Sequence, residues 1–290
     1  MYVATIIGPL SDNTLDDGSA RLVATGCAPG RTAWLDWGKA ADIFFEHDPA
    51  AARTALEGAF ADTDVVVQPA ATREKRLLVA DMDSTMITVE CIDELADYAG
   101  IKPQIAEITE RAMRGELDFA GALDARVALL KGLEEGAIDR CLAERVRLMP
   151  GARTLVQTMR ARGAYTVLVS GGFIRFAEPV GEQIGFDRVI ANRLNVVAGA
   201  LDGTVAKPIV DSGTKELALA EASAERGLSA EATLAVGDGA NDLAMIGKAG
   251  LGVAFHAKPI VAAAAGARID HGDLTALLWA QGIARADWIG

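Results

Sequence analysis

The chain has 290 residues, 51% hydrophobic and 23% charged, enough to bury a full core without disulfide or metal staples, and no run of about 18 apolar residues could span a bilayer. Forty acidic residues against 28 basic ones give a formal charge of −12, and that field repels phosphate backbones and anionic membranes, so neither nucleic acid nor membrane is an expected partner. Any small anion handled here must be held by a few local cations, by backbone N–H groups or by a metal. Cys27, Cys91 and Cys141 lie far apart with no C-x-x-C spacing, and the N-terminus lacks the basic and apolar regions of a secretory signal. Both features predict a cytoplasmic protein with buried thiols.

Residues 1–72 read as a separate α+β unit. Tyr2 to Ile7 is strand-like and a polar segment runs to Gly30. Strand-like runs follow at Thr32 to Trp37 and Asp42 to His47, then a helix from Pro49 to Phe60 and a strand from Val65 to Gln68. This order, roughly βαββαβ, predicts a ferredoxin-like or ACT-like module, with Trp34 and Trp37 in its core or an interface. The module's sheet is a candidate surface for a homodimer. Pro69 to Lys75 then breaks the apolar periodicity as a linker would.

From Arg76 the pattern changes to short apolar runs separated by helical segments: Leu77 to Ala80, Tyr165 to Val169, Thr233 to Val236 and Leu251 to Phe255. Such runs predict a parallel sheet with crossover helices over residues 73–290. Between the first two runs, residues from about 88 to 149 are almost all helix-forming, with Leu123, Val127 and Leu130 at helical spacing, and read as a helical insertion. The β-rich stretches Val189 to Asn192 and Asn195 to Val197 suggest a hairpin. His47, His256 and His271 are scattered without the spacing of a zinc site.

Ligands of open α/β sheets bind at the carboxyl ends of the strands, so the residues after each run carry the chemistry. Three polar loops stand there: Asp81-Met82-Asp83-Ser84-Thr85, Ser170-Gly171-Gly172 and Gly237-Asp238-Gly239-Ala240-Asn241-Asp242. In an extended step Asp81 and Asp83 point the same way, and Asp238 and Asp242 arrive from another tip. Two carboxylates about 4 Å apart repel by roughly 4 kcal/mol at an effective dielectric of about 20, so the cluster calls for a hard cation, and an oxygen-only donor set suits Mg²⁺. An aspartate can act as a phosphoryl acceptor, which makes Asp81 the candidate nucleophile and Asp83 the candidate general acid and base. Ser170, Gly171 and Gly172 suit phosphate-binding N–H groups. Of two nearby lysines, Lys207 and Lys215, the second is preferred, because a lysine in a first helical turn opposes the helix dipole and so points to a ligand.

These motifs resemble, in order, the four motifs of haloacid dehalogenase superfamily phosphatases, and the helical insertion resembles that superfamily's cap. Within it the chain is most similar to the phosphoserine phosphatase family over roughly residues 76–282, including Glu90, the segment Met113 to Phe119, and Arg126. The resemblance implies a HAD-like Rossmannoid fold and Mg²⁺-dependent hydrolysis of O-phospho-L-serine through phosphorylated Asp81, the last step of serine synthesis. It implies metal ligation by Asp81, the Asp83 carbonyl and Asp238, with Asp242 in support. It further implies that Ser170, Gly171 and Lys215 hold phosphate, that Asn241 orients the ligand, that Glu90 pairs with the substrate ammonium and Arg126 with its carboxylate, and that Met113 and Phe119 close over it. Rival readings are action on phosphohomoserine or phosphothreonine, phosphotransfer to another alcohol, and a serine-sensing regulatory protein.

Overall fold

The computed structural model describes residues 1–113 and 116–290, the side chain of Met113 excepted. The chain opens with β1 (Tyr2–Ile7), α1 (Thr14–Ala24), β2 (Ala28–Asp36), β3 (Ala40–Glu46), α2 (Pro49–Leu56) and β4 (Asp64–Pro69). The four strands form an antiparallel sheet in the order β2-β3-β1-β4. Helix α1 occupies what reads from sequence only as a polar segment. Its buried Leu15 and Leu22 pack on the sheet while Asp16 and Asp17 favour its N-terminus. Helix α2 begins at Pro49 behind the Asp48 cap and stops at Leu56 rather than Phe60, because Glu57 turns extended and Gly58 takes φ 70°. Trp34 packs against Trp37 along the sheet edge, ring centroids 4.6 Å apart and planes tilted by 42°, and Trp37 is exposed rather than in the core.

One face of this sheet packs on its own two helices through Ala4, Ile6, Ile43 and Phe45. The opposite face gives Ile7, Ala40 and Val66 to the core of the rest of the molecule. The segment expected as a linker is pinned on both sides. Arg73 pairs with buried Asp42 at 2.6 Å, and Lys75 Nζ donates to the carbonyls of Thr72 and Glu231. The polar character that marks this stretch in the sequence serves these buried contacts.

Next come β5 (Leu77–Ala80) and the insertion: α3 (Cys91–Tyr98), α4 (Lys102–Met113), α5 (Phe119–Ala128) and α6 (Gly136–Arg145). Its ends run side by side, with the Thr88 N–H donating to the Arg147 carbonyl and the Met149 N–H to that of Met86. The chain continues through α7 (Ala152–Ala161), β6 (Tyr165–Phe173), α8 (Ile174–Ile184), β7 (Arg188–Asn192), β8 (Leu194–Val197), β9 (Ala200–Val205), α9 (Ser212–Glu225), β10 (Thr233–Gly237), α10 (Leu243–Lys248), β11 (Leu251–Phe255), α11 (Pro259–Ala264), β12 (Ala267–Ile269) and α12 (Ala276–Ala280).

Six parallel strands lie in the order β12-β11-β10-β5-β6-β7. Both faces are covered, which is why these strands read as unbroken apolar runs. Leu78, Ala80, Leu234 and Val236 face one apolar cluster with α7, α8 and α12, whereas Leu77, Val79 and Ala235 face the other with α9 and α10. The expected hairpin is displaced: Val189 to Asn192 lies in β7 at the edge of the parallel sheet, and β8 pairs with β9 instead. That hairpin leans on the insertion, where the Glu135 N–H donates to the Gly199 carbonyl and the Leu201 N–H to that of Leu133. No helix among the described residues is long and apolar enough to cross a membrane.

Candidate active site

The chain leaves β5 on one side for β6 and β7, and later returns to the other side of β5 as β10. Adjacent tips that lead in opposite directions open a crevice, and the polar loops converge there. The Asp81 N–H still donates to the Val236 carbonyl at 3.0 Å, which carries the ladder one residue past β5. Beyond it the Met82 carbonyl accepts from Thr85, Met86 and Ile87, a tight turn in which Ser84 has φ 55°.

Lys215 organises the floor of the crevice. Its helix α9 is capped by Asp211, whose side chain accepts from the Thr214 N–H. The lysine is 0% exposed, and Nζ reaches Asp81 Oδ1 at 2.5 Å and Asp242 Oδ1 at 2.7 Å. Burial alone would lower the ammonium's pKa, but Asp81 and Asp242 outweigh it and raise it above its ordinary value. Lys207 lies on the surface instead, paired with Asp124 at 2.8 Å.

Carboxylate oxygens of Asp81, Asp238 and Asp242 lie within 4.8 Å of one another. Three carboxylates around one ammonium leave negative charge uncompensated. Burial raises Asp81 well above the usual carboxylate range, and Asp242 and Asp83 push it further against the pull of Lys215. Asp238 is pushed up to about 6 by burial, with Glu90 and Asp242 adding and Thr85 opposing. Excess charge on hard oxygen donors fits a hard divalent cation. Among the described residues this is the one grouping of three or more His, Cys, Asp or Glu side chains placed to hold a metal.

Asp83 faces the β6 loop. Its Oδ1 accepts from the Cys91 N–H at 2.9 Å and its Oδ2 from Ser170 Oγ at 3.2 Å, while the Gly172 N–H donates to Ser170 Oγ at 2.8 Å. Ser170 is buried, so its hydroxyl serves Asp83 rather than opening to the cavity. Burial, then the charge of Glu90, pushes the Asp83 carboxyl up to about 6, against the pull of the Cys91 N–H and Lys215. Gly172 permits this packing, since a Cβ there would stand 2.7 Å from Asp83 Oδ2.

A cavity of about 400 Å³ opens over this floor, a size suited to a small molecule. Asp81, Asp83, Gly171, Asp238 and Asn241 line it from the strand tips, and Glu90, Phe119 and Arg126 from the insertion. Phe119 lies over the loop, its Cζ 3.2 Å from where a Gly171 Cβ would stand. Arg126 is half-buried, with Nε donating to the Ala122 carbonyl at 3.2 Å. Burial lowers its guanidinium pKa, while Asp93 and Glu90 oppose that shift. Met113 ends α4, and its side chain lies outside the described residues.

Sequence reasoning did not single out Ile92, Asp93, Thr109, Leu123, Phe173 or Lys258 as pocket walls. They come from five different elements or loops, so no local spacing marks them. Nor did it assign Thr85, which donates to Asp238 Oδ1 at 3.3 Å, or Ser84, which donates to Glu90 Oε1 at 2.7 Å. The fixed distance of those hydroxyls from Asp81 and Asp83 was the available signal.

Comparison with known proteins follows the same outline. Phosphoserine phosphatase SerB2 of Mycobacterium tuberculosis is 48% identical over 217 residues, 75% of this chain and 53% of that protein. This chain spans 59% and 62% of the phosphoserine phosphatases of Streptomyces coelicolor and Archaeoglobus fulgidus. The crystal structure of a probable phosphoserine phosphatase from Vibrio cholerae superposes with a TM-score of 0.78 at 32% identity, covering 99% of this chain and 88% of that one. An HAD family hydrolase from Salmonella enterica serovar Typhi gives 0.85 at 27% identity, covering 96% and 97%. The pattern of the haloacid dehalogenase-like hydrolases matches residues 78–247, which include all three polar loops and Lys215. The chain belongs to the haloacid dehalogenase-like hydrolase family.

Proposed function

We propose that the protein is a Mg²⁺-dependent phosphomonoesterase that hydrolyses O-phospho-L-serine to serine and phosphate, the final step of serine synthesis in the cytoplasm. The observation that carries this reading is one cavity with Asp81 and Asp83 in its floor, Lys215 buried beneath Asp81, and Glu90 and Arg126 in its wall. A phosphoserine has three charged groups, and the cavity offers a partner of suitable sign for each. A guanidinium can grip the carboxylate in a fork, and a glutamate accepts from the ammonium. Relatives named phosphoserine phosphatases at 44–48% identity support the same substrate class.

In the proposed reaction an Asp81 carboxylate oxygen attacks phosphorus, the bond from phosphorus to the serine oxygen breaks, and Asp83 gives that oxygen its proton. A carboxyl pushed up to about 6 retains a share of its protons near neutrality, as a donor needs. The Asp83 carboxylate then takes a proton from the water that opens the aspartyl phosphate, and inorganic phosphate leaves. Lys215, the Gly171 and Gly172 N–H groups and Asn241 orient the phosphate. Asp81, Asp238 and the Asp83 carbonyl would hold Mg²⁺, with Asp242 in support, and the ion would supply positive charge beside the transferring oxygens. Phe119 would exclude water over the bound ligand. Pairing of two chains through the N-terminal sheet belongs to the same proposal.

Release of inorganic phosphate from phosphoserine, with and without Mg²⁺, tests the reading. Asp81→Asn should lower turnover on the order of 10³-fold or more with the fold intact, and substantial residual turnover would refute the covalent route.

A further inference from the structure

Ser84 occupies a backbone conformation that suits glycine better. Its φ of 55° is in the left-handed region, where a Cβ is unfavourable. The backbone of the turn needs no side chain here, because the Ser84 N–H already closes it on the Val89 carbonyl at 3.3 Å. What serine adds is a hydroxyl, and that hydroxyl donates to Glu90 Oε1 at 2.7 Å.

Glu90 needs holding. It is exposed, it precedes α3, and its side chain does not cap that helix. It faces the charges of Asp83 and Asp238, both of which it repels, and the guanidinium of Arg126, which attracts it with no direct hydrogen bond between them among the described residues. A carboxylate on a flexible stem in that field turns toward water unless a donor restrains it. The Ser84 hydroxyl engages one oxygen and leaves the other to accept from a ligand in the cavity that both residues line.

We propose that Ser84 is a positioning residue for substrate choice: through Glu90 it presents a fixed acceptor to the substrate ammonium, so that compounds lacking the ammonium are disfavoured. The inference rests on the phosphoserine reading and adds to it the residue that makes the ammonium pocket rigid. Pre-organisation of this kind lowers the ordering cost of binding and acts on KM.

The test compares kcat and KM for phosphoserine and for its des-amino counterpart, which keeps phosphate and carboxylate and has hydrogen in place of the ammonium. Ser84→Gly suits the backbone and removes the whole hydroxymethyl group, whereas Ser84→Ala removes the hydroxyl alone, so the thermal midpoint of the glycine variant should stay within about 2 °C of wild type. Its preference for phosphoserine over the des-amino compound should fall about tenfold, the scale of one charge-assisted hydrogen bond, through KM with kcat retained. Ser84→Ala should show the same loss. In a Glu90→Ala background Ser84→Gly should change the preference no further, since the two residues act as one unit. An unchanged preference in Ser84→Gly, an equal loss on both compounds, or a loss confined to Ser84→Ala would overturn the proposal while wild-type turnover of phosphoserine stands. Absence of phosphoserine turnover in the wild type would instead overturn the underlying reading and this inference with it.

Discussion

Replacing Lys215 by methionine keeps most of the stem and removes the ammonium from beneath Asp81 and Asp242. All the charge involved is sequestered, since Lys215 and Asp242 are 0% exposed and Asp81 5%. At 2.5 and 2.7 Å each attraction amounts to roughly 6 kcal/mol at an effective dielectric of about 20, before the cost of taking three charges out of water. Deleting one partner of such a buried set costs about 3–5 kcal/mol. The corresponding fall in melting temperature is roughly 10 °C, and calorimetry of the metal-free protein measures it. The deficit has a pH signature. Lys215 is held above its ordinary value, so the wild-type contribution is complete at neutral pH and is lost only at strongly alkaline pH. The buried carboxyls are already raised in the wild type, and without the pull of the ammonium Asp81 and Asp83 rise further, so the folded variant binds more protons than the folded wild type, protons that the unfolded chain would release. Stability of Lys215→Met therefore rises as pH falls from 7 toward 5, and the gap to wild type narrows. Adding Asp242→Asn should recover part of the loss. A Lys215→Met protein melting within about 2 °C of wild type at pH 7, or a deficit that ignores pH, would refute the reasoning.

Three further outcomes follow from the site. Gly172→Ala places a Cβ against Asp83 Oδ2 and Ser170 Oγ, and kcat should drop on the order of 10²-fold with little change in melting temperature, as read by steady-state kinetics and calorimetry. Asp238 is pushed up to about 6 chiefly by burial, so below pH 6 a cation must displace its proton. Titration calorimetry should show Mg²⁺ affinity falling by at least about tenfold per pH unit there, since Asp81, another proposed ligand, is raised as well. Arg126→Ala should cost phosphoserine at least about tenfold more in kcat/KM than an aryl phosphate without a carboxylate, and equal losses would mark Arg126 as structural.

The strand tips were legible because a strand covered on both faces must be apolar throughout, and its end is then marked by the first polar residue. Leu77 to Ala80 followed by Asp81, and Leu234 to Val236 followed by Gly237 and Asp238, follow this rule. Family membership followed from those loops with Lys215. Helix α1 was obscured because Asp12, Asn13, Asp16, Asp17, Gly18 and Ser19 carry turn-like composition, and Leu15 and Leu22 are too few to establish a period. The β7 run was assigned to the wrong partner because β-branched composition marks a strand without saying which neighbour it pairs with. Arg193 alone separates β7 from the true hairpin. Pocket walls such as Thr109 and Lys258 become neighbours only when the insertion sits over the sheet.

The antiparallel sheet has no free inner side. Ile7, Ala40 and Val66 share an apolar cluster with Leu274, Leu277 and Ala280, and the Asp64 carboxylate accepts from the N–H groups of Asp270, His271 and Gly272. Severing the chain near residue 72 would strip that cluster and strand those amides, leaving an oily scar on each fragment. The two parts should therefore melt in one transition, and a molecule that tightened the first sheet would also steady the crevice beyond it.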